Sequence, residues 1–216
     1  MPFICCQRSY SNRLCNLILT ALLLLSMSAA HSASKTILVL GDSLSAEYGL
    51  PRGTGWVSLL GQRITKQKIS ATVINASISG DTTSSGKSRL AALLKNFHPQ
   101  IVIVELGGND ALRGLSLSAS ESNIRSIINM SKSNNAKVLL TGIRIPPNYG
   151  KDYTERFFAM FQKIAHEEKI NLVPFLLENV ADKSELFQAD RIHPISKAHP
   201  IILENVWPYL TPLLSK

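Results

Sequence analysis

Cysteine is almost missing from this chain of 216 residues. There are three, Cys5, Cys6 and Cys15, all within the first fifteen positions. The remaining chain has no thiol for nucleophilic, redox or cysteine–zinc chemistry, and no disulfide framework. Metal-ligand spacing is also lacking. The five histidines are scattered: His98 and His199 each precede a proline and His166 lies beside Glu167 and Glu168, with no His-Glu-x-x-His pattern. No glycine-rich phosphate loop occurs. The one glycine after the first apolar strand run, Gly41, is followed by a carboxylate, Asp42, which a phosphate cradle avoids. Charged residues form no long block. The 23 Lys and Arg against 15 Asp and Glu give a formal charge of +8, with the basic residues spread along the chain. Such a diffuse surface points to solubility, not to nucleic-acid binding.

No apolar run reaches the ~20 residues of a membrane span. The longest, Leu14–Met27, follows Arg8 and Arg13 and is followed by small residues, Ser28-Ala29-Ala30-His31-Ser32-Ala33. Positive residues, an apolar core and a small-residue site are the features of a cleavable signal peptide over residues 1–33. Residues 34–216 are then a single exported domain, periplasmic or secreted, with no stable membrane anchor after processing and no nucleic-acid partner. It is expected to act as a monomer.

What is present is a βα alternation. Apolar, β-branched runs at 36–40, 71–74, 101–106, 138–141 and 172–175 are separated by segments with helical spacing, the pattern of a parallel sheet covered on both faces. Tyr153, Phe157 and Phe161 share one helical face, which reads as packing against the sheet more readily than as an acyl pocket. Residues 195–210 read as a last helix that Pro200 and Pro208 cap or interrupt.

Three polar blocks carry chemistry: Gly41-Asp42-Ser43-Leu44-Ser45 and Gly107-Gly108-Asn109-Asp110, each after a strand run, and Asp190-Arg191-Ile192-His193-Pro194 near the end. A serine hydroxyl needs a base to take its proton, and an imidazole is suited to that. The base needs a carboxylate to hold its tautomer, and the developing oxyanion needs preset donors. Ser43, His193 and Asp190 fit the first roles. The Asn109 amide and the backbone N–H groups of Ser43 and Gly80 fit the last. Ser45 stands where a Gly-x-Ser-x-Gly elbow has its second glycine, so the strained nucleophile turn of the α/β-hydrolases is not expected.

Taken together with Ala76-Ser77-Ile78-Ser79-Gly80-Asp81-Thr82, Val104-Glu105-Leu106 with Leu112-Arg113-Gly114, and Ile143-Arg144-Ile145-Pro146 with Asn148-Tyr149-Gly150, these blocks resemble the GDSL, or SGNH, hydrolases. The likeness is strongest to the bacterial periplasmic thioesterase, lysophospholipase and arylesterase branch, and runs from about Lys35 to the C-terminus. It implies a three-layer, doubly wound, flavodoxin-like α/β domain with a five-stranded, mostly parallel sheet in the order 2-1-3-4-5. It also implies Ser43, Asp190 and His193 as catalytic residues, an oxyanion hole of Ser43, Gly80 and Asn109, no metal and no cofactor. The substrate it implies is a small acyl ester or thioester such as an acyl-CoA, a lysophospholipid or an aryl ester. A carbohydrate acetylesterase or dedicated lipase of the same superfamily would share the chemistry, and a flavodoxin-like binding module is a third reading. Two loops that leave strand ends, 111–117 and 144–150, are placed to shape a groove, with Ile145, Pro146 and Tyr149 offering surface to an acyl chain. Arg191 departs from the family pattern, which usually has glycine there.

Overall fold

The computed structural model describes residues 34–215. The expected signal peptide lies outside the described residues. Five strands form one sheet: β1 (Lys35–Gly41), β2 (Ala71–Asn75), β3 (Ile101–Glu105), β4 (Lys137–Thr141) and β5 (Asn171–Val173). Their order is β2-β1-β3-β4-β5, and every pairing is parallel.

The central strands have to be apolar throughout, because a parallel sheet is covered on both faces. Ile37–Leu40 and Ile101–Val104 are fully buried, and successive residues serve opposite layers. Leu38, Leu40, Val102 and Val104 face α2 (Thr83–Phe97), α4 (Leu117–Ser133) and α5 (Lys151–Glu168). Ile37, Val39, Ile101 and Ile103 face α1 (Trp56–Lys66) and α6 (His199–Leu214). Short α3 (Gly108–Leu112) follows β3 directly. The aromatic stripe of α5 is core: Phe157 and Phe161 are fully buried, edge to face at 5.2 Å. Burying each stabilises the fold by about 1.5–3 kcal/mol.

The last helix differs from its expected bounds. A 3₁₀ turn, Ser196–Ala198, precedes it, and the α-helix runs His199–Leu214 with Pro208 and Pro212 inside. Pro200 sits in the first turn, where a missing N–H is no loss. Pro208 does not end the helix because Ile202, Leu203, Val206 and Leu210 anchor it to the sheet on both sides. Inside the same core, His199 Nδ1 accepts from the Trp56 N–H at 3.0 Å and so satisfies the start of α1, while burial holds this imidazole below its usual range. Among the described residues no helix is long and apolar enough to cross a membrane.

The strand order reverses direction beside β1: β2 lies on one side and β3 on the other. At such a switch point the loops after two adjacent strands diverge and leave a crevice at their carboxyl ends. The blocks beginning at Asp42 and Gly107 leave β1 and β3 there.

Candidate active site

Ser43 follows β1 in a turn stitched by Ser45 N and Ala46 N to the Asp42 carbonyl. It is absent from the residues with positive φ, so the nucleophile turn is unstrained, as Ser45 in place of glycine suggested. Its Oγ lies 2.9 Å from His193 Nε2, and His193 Nδ1 lies 2.6 Å from Asp190 Oδ2. Asp190 Oδ1 also accepts from the Ile192 and His193 N–H groups, at 2.9 and 3.0 Å. Partial burial would raise the Asp190 carboxyl, but the bonds from the His193 backbone, its ring and Ile192 outweigh that and pull it down to about 2. An ionised Asp190 fixes Nδ1 as a donor and leaves Nε2 free to accept the Ser43 proton.

The loop that carries the pair is tied down locally. Gln188 N donates to the His193 carbonyl at 2.8 Å, Phe187 and Pro194 form an antiparallel bridge, and the Tyr48 ring lies 4.4 Å from the imidazole. Arg191 adopts a left-handed backbone (φ 58°) with its side chain exposed. That conformation is the reason glycine suits the position.

The donors approach from two more elements. The segment after β2 is strung along β1, with Ala76 N donating to Val39 O and Ile78 N to Gly41 O. It then turns at Gly80, whose φ of +84° admits glycine with little penalty. Arg113 Nη2 donates to the Gly80 carbonyl at 3.0 Å. Among the described residues neither the Ser43 nor the Gly80 N–H has an acceptor, so both are free to meet a substrate oxygen. Asn109, in α3, is half-buried, and its Nδ2 donates to Asp42 Oδ2 at 3.0 Å. One bond therefore orients the amide and leaves the second N–H of the group for another acceptor.

Among the described residues, five of the seven exposed large hydrophobic side chains, Tyr48, Ile78, Leu115, Tyr149 and Ile192, lie on segments that follow the carboxyl ends of strands, while Phe97 and Tyr209 lie on helices. The groove residues expected from sequence divide. Pro146 and Tyr149 are open to solvent, Tyr149 in a 3₁₀ turn, Pro147–Tyr149. Ile145 is not open: it is 8% exposed and packs into the core with Ile143 and Phe157, because the chain leaving β4 still alternates faces there. The loop after α3 is fixed by Tyr153, whose hydroxyl donates to the Leu115 carbonyl at 3.1 Å.

Sequence reasoning missed the support beneath the serine. Asp42, 2% exposed, and Glu105, fully buried, lie under the Ser43 turn, and Trp56 Nε1 and Glu105 Oε2 both reach Ser45 Oγ. The available signal was a glutamate inside the otherwise apolar run Ile101–Leu106. Among the described residues no group of three or more His, Cys, Asp or Glu side chains is disposed to hold a metal ion.

Residues 39–201 match the model of the GDSL-like lipase/acylhydrolase family. The chain is 46% identical over 198 residues to esterase TesA of Pseudomonas aeruginosa, covering 92% of this chain and 98% of that protein. It is 44% identical over 194 residues to the thioesterase 1/protease 1/lysophospholipase L1 of Escherichia coli, covering 90% and 91%. A crystal structure of TesA superposes with a TM-score of 0.81 at 48% identity, over 83% of this chain and 99% of the other. The psychrotrophic esterase EstA from Pseudoalteromonas, in a structure inhibited by monoethylphosphonate, superposes at 0.80 with 39% identity, over 84% and 100%.

Proposed function

The chain belongs to the GDSL-like lipase/acylhydrolase family and is a carboxylic ester hydrolase, and from that premise we propose that it cleaves esters and thioesters of single-chain acyl compounds through an acyl-enzyme on Ser43. The substrates are acyl-CoA thioesters, lysophospholipids and aryl esters. The observation that carries this reading is the continuous chain Ser43 Oγ, His193, Asp190 at 2.9 and 2.6 Å.

His193 Nε2 takes the Ser43 proton as Oγ attacks the acyl carbon. The carbonyl oxygen becomes an oxyanion facing the Ser43 and Gly80 N–H groups and the Asn109 amide. As the tetrahedral centre collapses, the C–O or C–S bond breaks and the imidazolium returns its proton to the leaving alcohol or thiol. Water then repeats the sequence, with His193 as base, and frees the acid. The exposed apolar side chains of Tyr48, Ile78, Leu115, Tyr149 and Ile192, on the loops that follow the five strands, are consistent with an acyl chain lying across those loops.

The leader supports an exported enzyme: Arg8 and Arg13, the apolar Leu14–Met27 and the small residues before Ser34 are the marks of a cleaved segment, leaving 34–216 as the catalytic domain in the periplasm or outside the cell. A fluorophosphonate probe tests the mechanism. Mass spectrometry of the labelled protein is expected to find the adduct on Ser43. A folded Ser43→Ala variant is expected to take no label and to lose all measurable turnover on palmitoyl-CoA, lysophosphatidylcholine and a phenyl ester. An adduct on Ser77 or Ser79, or turnover surviving in Ser43→Ala, rejects it.

A further inference from the structure

Two carboxyl groups that the mechanism does not use lie directly beneath the nucleophile. Glu105 ends β3 with no solvent exposure. Its Oε2 accepts from the Asp42 N–H at 3.1 Å and from Ser45 Oγ at 2.7 Å, and its Oε1, equally buried, is met by no donor. Asp42 is nearly as buried. Its Oδ1 accepts from the Leu44 N–H at 3.0 Å and its Oδ2 from Asn109. The fit is close, since a Cβ on Gly41 would stand 2.8 Å from Glu105 Oε2. Among the described residues no cation is ion-paired with either carboxyl.

Two ionised carboxylates in one dry site repel strongly, and a buried oxygen left without a donor is costly. Glu105 and Asp42 also face each other carboxyl to carboxyl, and both problems ease if Glu105 is a carboxylic acid: its proton fills that contact, and Oε2 remains the acceptor for Ser45 Oγ and the Asp42 N–H. We propose that Glu105 is a positioning residue, permanently protonated, whose O–H donates to the Asp42 carboxylate. The pair then holds a single negative charge on Asp42, which grips the Asn109 amide and aims its second N–H at the oxyanion. The nucleophile turn, bonded to Glu105, and the oxyanion donor, bonded to Asp42, thereby become one unit.

The electrostatics agree. Burial, and after it the Asp42 charge, push Glu105 well above the carboxylate range. Burial also raises Asp42, to about 6, against the bonds from Leu44 and Asn109 and the attraction of His193. The C-terminal loop turns His193 toward the pair; α3 turns the neutral Asn109, with Asp110 directed instead to Thr83 and Ser120; and α1 presents the neutral Trp56 indole.

The positioning role rests on the serine-hydrolase reading, but the protonation does not, and the two are tested apart. Carbon-13 NMR of the carboxyl carbons in the labelled wild-type protein reads protonation without turnover. Glu105 is expected at the shift of a carboxylic acid from pH 5 to 9, while Asp42 titrates within that range; a Glu105 carbon at the carboxylate shift at pH 8 overturns the proposal. In kinetics, Glu105→Gln, which keeps one donor and one acceptor, is expected to hold kcat within about threefold. Glu105→Ala is expected to lower kcat about tenfold or more at nearly constant KM. A folded Glu105→Gln as impaired as Glu105→Ala overturns the positioning role. If Glu105→Gln does not fold, the wild-type NMR still decides the protonation. A wild-type protein that refuses the fluorophosphonate rejects the serine mechanism and leaves the NMR result standing on its own.

Discussion

Two acidic sites flank the same serine, and they are electrostatic opposites. Asp190 lies on a surface loop, partly open to water, and receives two backbone N–H bonds and an imidazole bond within three residues of itself, so its carboxyl falls to about 2. Asp42 and Glu105 lie beneath the Ser43 turn, closed to water, and one of their four oxygens, Glu105 Oε1, has no donor. Burial pushes both upward, Asp42 to about 6. The side-chain chemistry is the same, so solvent and donor count decide the outcome. The difference suits the roles. In the proposed mechanism the residue behind the histidine has to stay ionised while the imidazole gains and loses a proton. The pair under the serine has to remain a fixed strut.

Breaking the exposed arm has the largest effect. Asp190→Asn is expected to lower kcat by about 10³–10⁴, since the amide no longer enforces the reactive tautomer. The same variant gives a pH signature in stability. A carboxyl whose folded value lies below the unfolded one contributes stability above the unfolded value and loses it as pH falls through the folded one. Thermal unfolding of Asp190→Asn is therefore expected below wild type at pH 7, with the gap closing between about pH 4 and pH 2, the window set by the fall of Asp190 to about 2. A gap independent of pH would show that the carboxylate bonds add nothing to the fold.

Cutting the link between the two sites comes next. Asn109→Ala removes both the bond to Asp42 and the oxyanion donor, and is expected to lower kcat by about 10²–10³ with KM little changed. Steady-state kinetics with near-normal kcat would reduce Asn109 to a turn residue.

The smallest change is at the rim of the exposed arm. Arg191 holds a left-handed backbone conformation, so Arg191→Gly relieves strain while adding freedom to the unfolded chain, and the net stability change is expected within about 1 kcal/mol. Its side chain is exposed, two positions before His193 in the chain, and a guanidinium at the rim of the proposed site would attract anionic head groups. Loss of it is expected to reduce kcat/KM for acyl-CoA about two- to fivefold more than for a neutral aryl ester, a gap that shrinks at high ionic strength. Equal effects on both substrates at low and high salt would leave Arg191 with no part in capture.

Legibility in the sequence followed the range of the interactions. The strands were legible because burial on both faces demands continuous apolar runs, and 101–104 shows one. Asp190 and His193 could be paired because three residues in a loop bring them together without help from the rest of the fold. Ile145 was misjudged because whether an apolar loop residue faces solvent or core depends on the helix packed over it, here α5. Pro208 was misjudged because local propensity argues for a break, whereas the helix is held by its contacts with the sheet.

By itself the sequence determined the parallel α/β architecture and the types of group available for hydrolysis, because periodicity and residue chemistry are local properties. Only the tertiary structure decided that Glu105, 60 residues from Ser45, would lie bonded to its hydroxyl, and that Asp42 would hold an amide 67 residues away. Which carboxyl keeps its proton depends on the water and donors that the assembled layers exclude or supply, and no stretch of sequence contains that information.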